Sequence, residues 1–240
     1  MTANPARTSN PIFVALETTD LDYARQLAER VRGCVGGLKL GLEYFNAHGP
    51  DGVRPFLDSG LPVFLDLKYH DIPNTVAGAC RAAAGLGVSI LNVHAQGGAA
   101  MMRAALDAAK SVSPSTRVIA VTMLTSLGDE DLPSLGLMPP VADQVLRLAA
   151  LAQQCGLDGV VCSAQEIARL RQELGPDFLL VVPGIRPEGA ALGDQRRVMG
   201  PAQARDAGAD VLVIGRPITG APDPAQAARD IAQSLGISAG

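Results

Sequence analysis

The stretch PVFLDLKYHDIPNTVAGACRAAAGLG, Pro62 to Gly87, carries the plan of the whole chain. It opens as a short apolar run, PVFLDLK (62–68), in which residues two apart share one side of an extended strand. Past Pro73, which suits the first turn of a helix, NTVAGACRAAAGLG is alanine-rich, has helical periodicity and stops at glycine. Asp66, Lys68 and Asp71 sit where the strand ends. Charges at such a point are costly to desolvate unless they are paired or used.

The same unit recurs on both sides of this stretch. Apolar runs are PIFVALE (11–17), GLKLG (37–41), PVFLDLK (62–68), VSILNVHA (88–95), RVIAVTML (117–124), LDGVVCS (157–163), FLLVVPGI (178–185) and DVLVIGR (210–216). Helix-like stretches alternate with them, among them DYARQLAERV, AAMMRAALDAAK, VADQVLRLAALAQQCG, AQEIARLRQELG and PAQARDAG, with DPAQAARDIAQSLG after the last strand. Strands separated by helices form a parallel sheet, and nearly continuous apolar runs suit strands covered on both faces. Eight units in 240 residues predict a (β/α)₈ TIM barrel. A doubly wound open sheet competes less well, because no GxGxxG follows the first strand. Residues 1–10 read as a flexible N-terminal tail and 11–240 as a single barrel domain.

Composition narrows the class. A 48% hydrophobic, 18% charged chain buries a sizeable core. A net charge of −4 offers no general attraction to nucleic acid or an anionic membrane, so an anionic ligand needs a local cluster of donors. Cys34, Cys80, Cys155 and Cys162 are scattered without a CxxC pair and read as buried, reduced thiols. No apolar run approaches a membrane span, and MTANPARTSN has no signal core, which makes the cytoplasm the expected compartment.

Barrel chemistry sits at the carboxyl ends of the strands. Glu17, Lys39, Asp66, Lys68, Asp71, Asn92, His94, Thr125, Ser163, Arg186 and Arg216 therefore converge on one mouth from distant parts of the chain. Asp66 and Lys68 point the same way, and a lysine between carboxylates is a candidate proton donor. A salt-bridged lysine that closes the barrel is the purely structural alternative. Lys39 extends the array to Lys-Asp-Lys-Asp. On the other side, Gly215 and Arg216 follow strand eight, where such barrels hold phosphate on backbone N–H groups and a planar guanidinium. Arg186 and Gln195, in the long loop 183–201, could close over it, and the loop 125–140 is a second lid candidate. His94 reads equally as a ligand and as a hydrogen-bonded histidine, while His48 and His70 carry no pattern. No zinc spacing and no P-loop occur.

FLDLKYHDIPNT (64–75) resembles the block around the catalytic lysine of the orotidine 5'-monophosphate decarboxylase family. NVHAQGGAAMM, VTMLTS, GLDGVVCSAQE, PGIRPEGAALGDQRR and VIGRPIT are similar to that family in the same order, from about Pro11 to Leu235. The resemblance implies a barrel enzyme that converts orotidine 5'-monophosphate to UMP with no metal or organic cofactor. It implies that Lys68 protonates C6 of the pyrimidine, with Lys39, Asp66 and Asp71 completing a charged network. It assigns Thr125 to the pyrimidine edge, Pro183, Arg186 and Gln195 to a closing loop, and Gly215 and Arg216 to the 5'-phosphate. A homodimer is implied too, in which Asp71 and Thr75 serve the neighbouring subunit.

One position departs from the family pattern. The first strand ends VALE where the family usually has VALD, so Glu17 replaces the aspartate expected at the ribose. Two other readings remain open. Metal-dependent 3-keto-gulonate-6-phosphate decarboxylases and hexulose-phosphate synthases share DxKxxD and the phosphate cradle, but place a glutamate where this chain has Lys39. A non-catalytic nucleotide-binding barrel is the other.

Overall fold

In a computed structural model, residues 10–187 and 199–237 are described. Eight parallel strands close into a barrel in chain order: β1 (Ile12–Leu16), β2 (Gly37–Gly41), β3 (Val63–Tyr69), β4 (Ile90–His94), β5 (Arg117–Val121), β6 (Gly159–Val161), β7 (Leu179–Val182) and β8 (Val211–Ile214). β8 pairs with β1, so the sheet has no edge. The expected TIM barrel is the observed fold.

Around it lie α1 (Leu21–Val31), α2 (Leu42–Leu57), α3 (Pro73–Ala84), α4 (Gly98–Val112), α5 (Val141–Gln154), α6 (Ile167–Leu174), α7 (Pro201–Asp206), α8 (Arg216–Thr219) and α9 (Pro224–Ser234). α1 starts at Asp20, whose side chain accepts the Tyr23 N–H, and α9 starts likewise at Asp223. The sequence reading contains neither α2 nor α8. α2 carries Pro50 and Pro55 and kinks at Gly49 (φ 59°), which breaks its helical period, and α8 spans only four residues.

Two apolar layers result. Inside the barrel, Phe13, Ala15, Phe64, Ile90, Ile119, Leu179, Val181, Val211 and Val213 pack together. Their sequence neighbours, such as Val14, Leu65, Leu91 and Leu212, face the helices. Gly37 is small for a reason: a Cβ there would collide with the Phe13 ring that fills the barrel.

The foot of the barrel is tied by two similar devices. Asp158, just before β6, accepts the Val118 N–H at 2.8 Å and pairs with Lys110 and Arg117. Asp210, just before β8, accepts the Leu180 N–H at 2.8 Å and pairs with Arg171 at 2.6 Å. Each links a strand to its neighbour at the end away from the mouth.

Candidate active site

Strand periodicity decides which side chains reach the mouth. On β1 the inward residues Phe13 and Ala15 lead to Glu17; on β3 Phe64 leads to Asp66; on β4 Ile90 leads to Asn92. Val181 leads to Pro183 and Val213 to Gly215 in the same way. The mouth is a cavity of about 470 Å³. One wall carries Glu17, Lys39, Asp66 and Lys68; the other carries Thr125, Pro183, Arg186, Gly215 and Arg216.

Asp66 is the centre of the charged wall. It is buried, and its Oδ1 accepts from Lys68 Nζ and from Asn92 Nδ2, each at 2.7 Å. Its Oδ2 faces Lys39 Nζ at 3.1 Å, and Lys39 also reaches Glu17 Oε1 at 3.4 Å. Burial by itself would raise the Asp66 carboxyl. The Lys39 and Lys68 ammonium groups, with hydrogen bonds from Lys68 and Asn92, together outweigh it and hold the group below the ordinary carboxylate range.

Lys68 is held in an unusual way. Its φ is 52°, alone among the described non-glycine residues in being positive. The β3–β4 ladder breaks between Leu65 and Tyr69, and the Lys68 N–H donates to Asn92 Oδ1 at 2.8 Å. A left-handed residue with a Cβ costs roughly 1–2 kcal/mol and needs surroundings that enforce it.

The opposite wall carries two arginines. Gly215 turns the chain into α8, and Arg216 is the first residue of that helix. Arg186 lies on the seventh loop, with a buried Nε that has no hydrogen-bond partner among the described residues. The Arg186 side chain lines the cavity, and a guanidinium offers a planar fork of donors.

A model of the family described as orotidine 5'-phosphate decarboxylase / HUMPS matches residues 10–231. The chain belongs to that family. It is 57% identical over 235 residues to a protein from Rhodospirillum rubrum named orotidine 5'-phosphate decarboxylase, covering 95% of each chain. A protein of the same name from Paramagnetospirillum magneticum is 53% identical, covering 95% of this chain and 99% of that one. Among solved structures, orotidine 5'-phosphate decarboxylase from Lactobacillus acidophilus superposes with a TM-score of 0.84 at 36% identity, over 95% of this chain and 99% of the other.

Within this member of the orotidine 5'-phosphate decarboxylase / HUMPS family, the candidate residues fall into three groups. Nine share the cavity: Glu17, Lys39, Asp66, Lys68, Thr125, Pro183, Arg186, Gly215 and Arg216. Asp71 and Thr75 do not line it; both are exposed on the rim, where Asp71 Oδ1 accepts the Ile72 N–H at 2.7 Å and Thr75 lies in the first turn of α3. Gln195 lies outside the described residues, as do residues 1–9 of the expected tail and most of the loop 183–201.

Other residues expected at the mouth have local duties. Ser163 caps a short 3₁₀ turn, with Glu166 reaching back to its N–H. His94 packs on His70 with ring centroids 5.4 Å apart, away from the cavity lining. Burial, then the nearby His70 and Lys68, hold its imidazole below the ordinary range. The loop 125–140 is folded: Leu132 is buried, Asp129 accepts the Val141 N–H, and Gln144 donates to the Met138 carbonyl. Leu42 and Glu43 line the cavity and escaped the sequence reading. They open α2, the helix whose periodicity is broken; the sequence signal was Gly41 ending an apolar strand just before them.

Among the described residues no helix is long and apolar enough to span a membrane, and no cluster of three His, Cys, Asp or Glu side chains could hold a metal ion.

Proposed function

We propose that this chain decarboxylates orotidine 5'-monophosphate to UMP, with Lys68 as the proton donor and without help from a metal. The observation that carries the reading is the Lys39–Asp66–Lys68 chain of contacts, 3.1 and 2.7 Å, on one wall of a cavity whose other wall holds Arg186, Gly215 and Arg216.

The chemistry follows from the charges. When the bond between C6 and the carboxylate breaks, its electron pair stays on C6 of a ring that delocalises it poorly. An ammonium already fixed at that carbon stabilises the developing charge without reorganising, and more strongly in a closed site than in water. Lys68 Nζ then passes a proton to C6. Asp66 holds that ammonium, and Lys39 balances the charge of Asp66. Arg186, Arg216 and the Gly215 backbone would grip the phosphate, whose binding energy favours closure over the ring. Thr125 and Pro183 fall to the pyrimidine, Glu17 to the ribose.

Asp71 and Thr75 complete the site of a second subunit in this reading. Their exposure on the rim supports it, and so does Ile72, between Asp71 and the start of α3, an apolar side chain that is 67% exposed. Gln195 would join the phosphate from the closing loop.

A metal-dependent reaction of the 3-keto-gulonate-6-phosphate decarboxylase type is disfavoured by one contact. Lys39 places its ammonium 3.1 Å from Asp66, where it repels a divalent cation. The test is release of CO₂ from orotidine 5'-monophosphate in EDTA, for wild type and Lys68→Ala. The expected outcome is chelator-resistant turnover in wild type and loss of at least about 10³-fold in the variant. Unaltered UMP formation by Lys68→Ala would refute the assigned role.

A further inference from the structure

We infer that Asn92 is a positioning residue of this site, a bracket that sets both the Asp66 carboxylate and the Lys68 backbone. The inference rests on the decarboxylase reading above.

Asn92 lies on β4 and is fully buried. Both ends of its amide are used: Nδ2 donates to Asp66 Oδ1 at 2.7 Å, and Oδ1 accepts the Lys68 N–H at 2.8 Å. The partners fix the amide's orientation, because an ionised carboxylate only accepts and a peptide N–H only donates.

The backbone explains why such a bracket is needed. Leu65 pairs with Leu91 and Tyr69 with Val93, so β3 advances four residues while β4 advances two. β3 therefore carries two extra residues beside Asn92, and the Lys68 N–H is taken by a side chain instead of the ladder. Lys68 sits in that bulge at φ 52°. Its peptide is held in a conformation that a lysine would otherwise leave. The same amide steadies the carboxylate that receives Lys68 Nζ. One side chain thus sets the donor lysine at its root and at its tip. The residues assigned above to the phosphate, Arg186, Gly215 and Arg216, line the other wall of the cavity.

Removing the bracket should therefore disturb turnover far more than binding. Two variants test it. Asn92→Ala removes both bonds, and kcat for CO₂ release should fall roughly ten- to a hundredfold while UMP affinity changes by less than about threefold. Asn92→Asp keeps the size but sets a second carboxyl against Asp66. Around that position stand Asp66, Lys68 and Lys39, with His94 and His70 beyond, while β5 opposes it with Ile119. Its kcat should be depressed at neutral pH and rise as pH is lowered, since one shared proton restores a donor between the two carboxyls. Wild type should lack that rise.

A folded Asn92→Ala enzyme with wild-type kcat overturns the inference. Equal losses of kcat and UMP affinity overturn it too, as does an Asn92→Asp pH profile parallel to wild type. If Asn92→Ala fails to fold, the Asn92→Asp profile decides. Failure of the decarboxylase reading shows separately, as a wild-type chain that releases no CO₂. The bracket is then judged by the crystal structure of either variant: Lys68 still at positive φ, with Nζ against Asp66, would refute it.

Discussion

Glu17 shows what one methylene can change. Its carboxylate meets Lys39 at 3.4 Å, at the edge of useful contact, and its side chain is 60% exposed. A shorter side chain recedes from the mouth, yet it is the usual residue of the family at this place. Glu17→Asp is expected to retain or raise kcat/KM for orotidine 5'-monophosphate. A fall of more than about tenfold would show that the rest of the cavity is fitted to glutamate. Asp66 makes a pH prediction whose sign is fixed. Its folded pKa is lowered, so its contribution to stability is present above the unfolded value of about 3.9 and is lost as pH falls through the lower folded value. Urea titrations between pH 7 and 3 should show wild type losing stability below about pH 4 more steeply than Asp66→Asn. The cysteines are quiet at this scale. Burial pushes the Cys80 thiol up to about 12, so iodoacetamide should label it only after denaturation. Residue types at strand ends were enough to nominate the charged wall. They could not reveal the geometry at Asn92, because a side chain that completes a broken ladder leaves no pattern in one sequence.

Among the elements, β3 departs most from the ideal. Period-two reading places Asp66 and Lys68 on one face, and both do line the cavity. Lys68 reaches it through a bulge and a left-handed backbone instead of regular pleating. The eight strands were legible because strands buried on both sides are apolar throughout, and their ends differ from the reading by only a few residues. α2 was hidden by two prolines and a glycine kink, and Leu42 and Glu43 were hidden with it. At the opposite end, Asp210 ties β7 to β8 and anchors Arg171, which also donates to the carbonyls of Gly208 and Phe178. Asp210→Ala takes away the carboxylate that balances the Arg171 charge and leaves that guanidinium to backbone carbonyls. It should cost about 3–5 kcal/mol and several degrees of Tm, with kcat of the folded fraction unchanged. Calorimetry beside initial rates checks this; a kcat loss matching the loss of stability would contradict the division between a stabilising foot and a reacting mouth.

At the scale of the whole molecule, closure of the barrel brings β1, β2, β3, β7 and β8 to one opening. The cavity of a single chain contains Lys39, Asp66 and Lys68 but not Asp71. If a second copy supplies Asp71, two inactive variants should rescue each other. Mixing Lys68→Ala with Asp71→Ala, after dissociation and reassociation, should restore roughly a quarter of wild-type activity, because each mixed dimer keeps one intact site. No recovery in a mixture shown to contain mixed dimers would place Asp71 in the site of its own chain instead of the partner's.

Length, the strand–helix rhythm and polar residues at strand ends were sufficient to determine a parallel barrel and to nominate the lysine–aspartate wall at its mouth. These features are local and periodic, so one sequence displays them. Tertiary structure alone decided that Asn92 joins Asp66 to Lys68, that α2 supplies part of the cavity, and that Asp71 and Thr75 face outward from their own chain. Each of these depends on register and closure between segments distant in sequence, and packing free energy, not local preference, sets that register.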